Sequence, residues 1–182
     1  YFLDPAKYED ISGFTNPHES EHDFFQVGHT STGASLAYGL AKARDLKGEK
    51  YNVIAVVGDG SLTGGEALEA LDNAAVLGSN MIIVVNDNDM SIAENHGGLY
   101  KHLKELRDTD GKAQNNFFKT LGFDYVFIKD GNDLPALLAA FKSVKDVSHP
   151  VIVHLVTEKG HGLKQAVENK EAFHWIMPHA LD

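Results

Sequence analysis

The sequence predicts an α/β fold, a parallel sheet flanked by helices on both faces, and three observations carry that prediction. Short, nearly continuous apolar runs rich in valine and isoleucine recur at residues 51–57, 81–85, 125–128 and 151–156. Such runs lack the in–out alternation of a half-solvated strand and fit strands covered on both sides. Segments with apolar residues at helical spacing separate them, which is the pattern of parallel strands joined by crossover helices. Two of the runs stop at clusters of Gly, Asp and Asn. In such sheets ligands sit beyond the carboxyl ends of the strands.

The elements follow in order. Residues 1–27 have no strong periodicity and are punctuated by Pro5, Gly13 and Pro17, so they predict extended or irregular chain. Residues 32–44 carry Leu36, Leu40 and Ala43 at helical spacing, and Gly48 ends that helix. The first buried strand, 51–57, stops at Gly58-Asp59-Gly60. A helix with Leu68, Leu71 and Ala75 on one face follows and closes at Gly78. The second strand, 81–85, stops at Asn86-Asp87-Asn88. Residues 100–107 predict a short charged helix and 115–121 another, stopped by Gly122. After the strand at 125–128, Asp133 and Pro135 mark a helix start, with Leu134, Leu137, Leu138, Phe141 and Val144 as its apolar stripe. The last strand is 151–156, and the pattern fades after Gly160. No repeat, linker or low-complexity tract interrupts the chain, which reads as a single domain, 1–182.

The 182 residues suffice for one domain with its own core. A formal net charge of -10 argues against nucleic acid and anionic membranes as partners, and leaves a local anion pocket open. The chain has no cysteine, which excludes disulfides, thiolate catalysis and Cys-based zinc sites. Apolar runs such as 53–57 and 81–85 fall far short of the roughly 20 residues of a spanning helix. The first residues lack the basic flank and apolar core of a signal peptide. The expectation is a soluble, cytoplasmic protein.

The chemistry concentrates in the two polar clusters. In Gly58-Asp59-Gly60-Ser61 the glycines allow a sharp turn and close approach of a ligand. The helix start that follows offers N–H groups to an anion, and Asp59 adds a carboxylate. In Asn86-Asp87-Asn88-Asp89-Met90, Asn88 lies 29 residues beyond Asp59. One helix and one strand separate them, so adjacent parallel strands would place the two ends side by side. A carboxylate, an amide oxygen and a backbone carbonyl are hard oxygen ligands, of the kind Mg²⁺ takes together with phosphate oxygens. Either cluster alone is ordinary turn chemistry. The pair, at strand ends and at this spacing, is far more specific. An EF-hand reading of Asp87, Asp89 and Ser91 fails for want of the central Gly and terminal Glu. A dinucleotide reading fails because no Gly-x-Gly-x-x-Gly follows a first strand.

Ten histidines add little by themselves. From the residues alone, His29 is a helix-start histidine bonded to backbone. His18, His22, His102 and His149 read as surface residues, and His96 follows the Asn-Asp-Asn cluster closely. His154 lies in a strand and His161 in a turn, neither with a nameable partner. His174 and His179 flank Trp175 and Pro178 in a tail expected to pack against something outside this chain. No His-Glu-x-x-His pattern supports zinc.

Longer blocks bring in a family. Glu19-Ser20-Glu21-His22-Asp23, Gly28-His29-Thr30-Ser31-Thr32, Gly58 through Gly65, and Asn86-Asp87-Asn88-Asp89-Met90-Ser91-Ile92-Ala93-Glu94-Asn95 resemble blocks of the 1-deoxy-D-xylulose-5-phosphate synthase family. Gly-Asp-Gly followed some 25 to 30 residues later by Asn-x-Asn resembles the thiamine-diphosphate motif. The resemblance covers most of the chain and is weakest at residues 100–116. It implies a thiamine-diphosphate-binding fold, with thiamine diphosphate and Mg²⁺ as cofactors. It makes Asp59 and Asn88 side-chain Mg²⁺ ligands, with the Met90 carbonyl completing the set. Gly60 and Ser61 would meet the diphosphate through the backbone. Gly28, His29 and Thr30 would line the cofactor, with His29 the catalytic candidate. The implied reaction condenses pyruvate with glyceraldehyde 3-phosphate and releases CO₂, feeding isoprenoid, thiamine and pyridoxal biosynthesis, in a homodimer. Alternatives are a transketolase-like ketol transfer and a non-catalytic, Mg²⁺-dependent phosphate-binding module.

The sequence also departs from the family. Family members are far longer. They have an upstream segment with catalytic histidines and a second domain supplying the glutamate that activates the cofactor, and neither is matched here. Where the family has Lys-Gly-x-Gly-Tyr, this chain has Lys159-Gly160-His161-Gly162-Leu163. The expectation is a fragment of a longer enzyme, or less favourably one subunit of a split one. Alone it would bind the diphosphate end of the cofactor without turnover.

Overall fold

In the computed structural model, which describes residues 12–21 and 23–176, the strands are β1 (Ile54–Gly58), β2 (Met81–Asp87), β3 (Asp124–Ile128) and β4 (Pro150–Val156). They form a parallel sheet in the order β1-β2-β4-β3. The helices are α1 (Gly33–Leu46), α2 (Gly65–Ala75), α3 (Gly98–Asp108), α4 (Phe117–Leu121), α5 (Leu134–Val144) and α6 (Lys164–Glu168), with a 3₁₀ turn at Ser61–Thr63. Pro5, His22, Pro178 and His179 lie outside the described residues.

Two apolar layers hold the sheet. On one face Ala34, Ala37 and Ala41 of α1, Leu71 of α2, Leu103 and Leu106 of α3 and Phe118 of α4 pack on Val57, Ile83, Val85 and Ile152. On the other, Ala140 and Val144 of α5 pack on Ile82, Val84, Val151 and Val153. Helices therefore cover both faces, as the alternation predicts, because residue-by-residue side-chain alternation gives each strand two faces to bury.

Three expectations need correction. The run 51–57 is not a strand buried on both sides. β1 starts at Ile54, and Ile54 and Val56 are 51% and 69% exposed, because β1 is the sheet edge and α5 reaches only the neighbouring strands. The chain before it is held instead by Arg44, a fully buried guanidinium that donates to the carbonyls of Tyr51 and Asn80 and to Ser79 Oγ. The buried stripe of α2 is Ala67, Ala70, Leu71 and Ala74, with Leu68 turned outward. In α5, Leu134 and Leu138 are exposed while Ala140 is buried, since the helix meets the sheet on its small residues.

The short α4 is fixed at both ends. Asn116 Oδ1 accepts the N–H groups of Phe118 and Lys119, and Gly122 closes it in a left-handed conformation (φ 110°). Phe118 is fully buried and stacks on Tyr125 at 5.9 Å. Phe118→Ala is expected to cost about 3–5 kcal/mol of stability. Urea unfolding checks this; a loss below about 1 kcal/mol would show that the site collapses around the smaller side chain.

Candidate functional site

The carboxyl ends of β1 and β2 sit side by side. Gly58 pairs with Asn86, and the Asp59 N–H donates to the Asn86 carbonyl at 3.1 Å. Asp59 is 2% exposed. Its carboxylate accepts the Asn95 side-chain N–H at 2.7 Å and the backbone N–H of Gly60.

Three loops close on this point. Gly60 faces Ser91 so tightly that a Cβ on it would lie 2.8 Å from the Ser91 Cβ. A Cβ on Gly64 would overlap the Ser31 side chain. Ser31 itself adopts a left-handed backbone (φ 72°), unusual for a side-chain-bearing residue. Gly60 and Gly64 are thus glycines because other loops occupy the space a Cβ needs.

Electrostatics single out Asp59. Burial first, and the nearby charge of Asp87 second, push its pKa up to about 6 from 3.8, against the pull of the Gly60 N–H, the Asn95 amide and Arg107. Between those two pH values the folded protein holds a proton that the unfolded chain has released. Stability therefore falls as pH rises through this window, being fully present below the lower value and lost above the upper. In chelator, the melting temperature is expected to decline from about pH 4 to about pH 6 in a way that Asp59→Asn removes. An unchanged profile in Asp59→Asn would assign the decline to other groups.

The β2 end is built on a buried network. Asp87 is fully buried, and both of its carboxylate oxygens lie 2.7 Å from Arg107 Nη1 on α3. His154 of β4, also fully buried, lies 2.9 Å away through Nε2, and its Nδ1 lies 2.7 Å from the Tyr125 hydroxyl of β3. Burial opposes ionisation of Asp87, but the bonds from His154 and Arg107 outweigh it and hold its pKa below the ordinary value. An ionised Asp87 can only accept, so His154 Nε2 donates to it and Nδ1 accepts from Tyr125. Burial, then the Asp87 charge, raises the Tyr125 pKa, which keeps that hydroxyl protonated.

Beyond Asp87 the loop turns on its own side chains. The Asp89 N–H donates to Asp87 Oδ1 at 3.1 Å, and the Met90 N–H to Asn88 Oδ1 at 3.2 Å. Asp89 is left-handed (φ 62°) and pairs with Arg107 Nη2 at 2.6 Å.

Of the residues singled out from sequence, Asp59, Gly60, Ser61, Asn88 and Met90 lie on the two adjoining strand ends and their loops. Gly28, His29 and Thr30 lie on the loop before α1. His29 and Ser61 both line an open groove of about 710 Å³ along β1. The His29 ring is exposed, and the backbone bond in this turn runs from Thr32 Oγ1 to the His29 carbonyl. The predicted helix start after Gly60 is a 3₁₀ turn, and α2 begins only at Gly65. The Gly60 N–H is directed at Asp59, so Ser61 is the better placed of the two to meet an anion.

Several residues were missed. His102 is not a surface residue: it is half-buried and its Nε2 accepts the Phe117 N–H at 3.0 Å. His154 has two partners that sequence spacing could not reveal. Asn95 and Arg107 had no signal of their own. Lys159 Nζ reaches the Ser91 carbonyl and His174 Nδ1. Trp175 lies within 3.7 Å of a Cβ on Gly13 while 63% exposed, so the tail meets the N-terminal segment of this chain.

The sequence matches the family described as 1-deoxy-D-xylulose-5-phosphate synthase over residues 2–114 and 109–157. The chain belongs to this family. The 1-deoxy-D-xylulose-5-phosphate synthase of Clostridium botulinum (strain Alaska E43 / Type E3) is 38% identical over 97% of this chain and 34% of its own length. That of Dictyoglomus thermophilum is 42% identical over 91% of this chain and 33% of its own length. The chain thus spans about a third of these synthases. The family match divides at residues 109–114, the link between α3 and α4. Among solved structures, a transketolase from Leishmania mexicana gives a TM-score of 0.54 at 21% identity, covering 72% of this chain and 20% of that one. A putative thiamin diphosphate-dependent enzyme from Mycobacterium smegmatis gives 0.53 at 20%, covering 71% and 22%. These two likenesses establish the fold of this chain and nothing finer.

Proposed function

We propose that this chain is the diphosphate-binding part of a thiamine-diphosphate-dependent 1-deoxy-D-xylulose-5-phosphate synthase, a transferase that condenses pyruvate with glyceraldehyde 3-phosphate and releases CO₂. The observation that carries the reading is Asp59. It is a buried carboxylate at the junction of two strand ends, and among the described residues no Lys, Arg or His side chain forms an ion pair with it.

The residues fit a divalent cation with a diphosphate. Asp59 is an anion that a dication would relieve of the cost of burial. Asn95 Oδ1 is buried without a partner beside it, and a ligand donor or cation would satisfy that oxygen. Among the described residues no three His, Cys, Asp or Glu side chains group as metal ligands. A set of Asp59, the Asn88 amide and the Met90 carbonyl contains only one member of that class, and suits Mg²⁺ already shared with phosphate oxygens. Ser61, on the turn after β1, would hold the diphosphate through its backbone N–H. Gly28, His29 and Thr30 would line the cofactor from the segment before α1, with His29 the candidate to exchange a proton there.

When bound, thiamine diphosphate supplies the carbanion chemistry, and the protein positions it. The homodimer rests on family resemblance, the cytoplasmic location on the composition of the sequence, and the remaining domains of the same enzyme on the chain's spanning about a third of its relatives.

The test is product analysis on the full-length protein with pyruvate, glyceraldehyde 3-phosphate, thiamine diphosphate and Mg²⁺. CO₂ release with formation of 1-deoxyxylulose 5-phosphate supports the synthase. Ketol transfer from xylulose 5-phosphate without decarboxylation replaces the substrate and keeps the site. Binding of ATP as tight as that of thiamine diphosphate favours a phosphate-binding module.

A further inference from the structure

The geometry points to Arg107 as a positioning residue that sets the shape of the cation-binding loop from beneath; the inference rests on the function proposed above. Arg107 lies in the last turn of α3, and its side chain is 14% exposed. Its Nη1 bonds both oxygens of Asp87, and its Nη2 pairs with Asp89. The residue between those two carboxylates is Asn88, and Met90 follows. One planar guanidinium thus ties down both neighbours of the amide proposed to hold the cation. Lysine could not reproduce this, since it presents a single ammonium where the fork needs two separated donors.

The loop needs such a tie. Asp89 adopts a left-handed backbone that a side-chain-bearing residue adopts at a cost. It is 59% exposed and bonded on its side-chain oxygen by Arg107. The two local bonds, Asp89 N–H to Asp87 Oδ1 and Met90 N–H to Asn88 Oδ1, are long at 3.1 and 3.2 Å. The bonds from Arg107 are short at 2.6 to 2.7 Å, as charge-assisted bonds are. On the far side of Asp87, His154 of β4 bonds the same carboxylate and is itself held by the Tyr125 hydroxyl of β3. The three elements meeting at Asp87 therefore hold it still, and Arg107 transmits that fixity to Asp89 and so to the backbone that presents Asn88 and Met90.

The experiment titrates Mg²⁺ into the full-length protein at saturating thiamine diphosphate, by calorimetry, for wild type, Arg107→Met, Arg107→Lys and Arg44→Met. Partners that hold a metal ligand in place are worth about 10- to 100-fold in metal affinity. Arg107→Met is expected to raise the Mg²⁺ Kd by that factor, with kcat at saturating Mg²⁺ within about 3-fold of wild type. Arg107→Lys is expected to recover only part of the loss. Arg44→Met removes a more deeply buried arginine at the opposite end of the sheet and is expected to lower stability without moving the Mg²⁺ Kd. An unchanged Kd in Arg107→Met, or an equal shift in Arg44→Met, overturns the inference. Should Arg107→Met not fold, Asp89→Ala removes only the outer pair, and an unchanged Kd there overturns it as well. Wild type that shows no Mg²⁺-dependent binding of thiamine diphosphate sinks the proposed function itself. Wild-type binding that ignores Arg107 sinks only the positioning role.

Discussion

Asp59→Ala is expected to abolish Mg²⁺-dependent binding of thiamine diphosphate while making the cofactor-free protein more stable at neutral pH. The two halves have one cause. Asp59 is buried beside Asp87, so its ionised form is unfavourable and its pKa is pushed up to about 6. Removing it relieves that cost in the absence of a cation, and removes the one anionic side chain of the proposed ligand set. The loss of affinity should exceed the about 100-fold that follows from losing a residue that merely supports a ligand. Calorimetry of cofactor binding and thermal unfolding in chelator read the two effects on the same sample. Binding that survives in Asp59→Ala would make the metal assignment wrong. Binding lost together with a large drop in apo stability would show that Asp59 is an architectural residue.

Asp87→Ala should cost about 3–5 kcal/mol of stability, the scale for removing one partner of a buried ion pair. That is a large part of the roughly 5–15 kcal/mol available to a folded domain. The substitution strips Arg107 of its bonds to both carboxylate oxygens and leaves the Nε2–H of His154, fully buried, with nothing to accept it. Asp87→Asn should lose less, since one amide oxygen can still accept. Urea unfolding of both variants checks the order. Equal losses would mean that the charge, rather than the count of acceptors, sets the cost.

The sequence showed where polar clusters meet strands, because the valine-rich runs and the Gly, Asp and Asn residues that stop them are local features. Asp59 and Asn88 were therefore legible. Arg107, His154, Tyr125 and Asn95 were not. Asn95 and Arg107 meet Asp59 and Asp87 across 36 and 20 positions of sequence, and His154 and Tyr125 arrive through a topology that inserts β4 between β2 and β3. Strand order is a tertiary property, and a lone histidine inside an apolar run carries no mark of its partner. The exposed Ile54 and Val56 failed for a related reason: a run of apolar residues says that a strand is apolar on both faces, and cannot say which strand forms the edge. The stripe of α5 was misplaced because large apolar residues were taken to face inward, whereas the sheet meets Ala140 and Val144.

The unequal burial of the two strands has a dynamic counterpart. β2 pairs on both sides and five of its seven residues are buried apolar side chains, whereas among the described residues β1 pairs with β2 alone and leaves Ile54 and Val56 exposed. Opening free energies follow such differences in packing. In hydrogen exchange, amides of β2 should protect to near the global limit, while those of β1 exchange through a smaller, cheaper opening. The Asp59 side of the site would then melt before the Asn88 side. A ligand bridging the two would slow exchange most in β1, so the protection it confers would be lopsided.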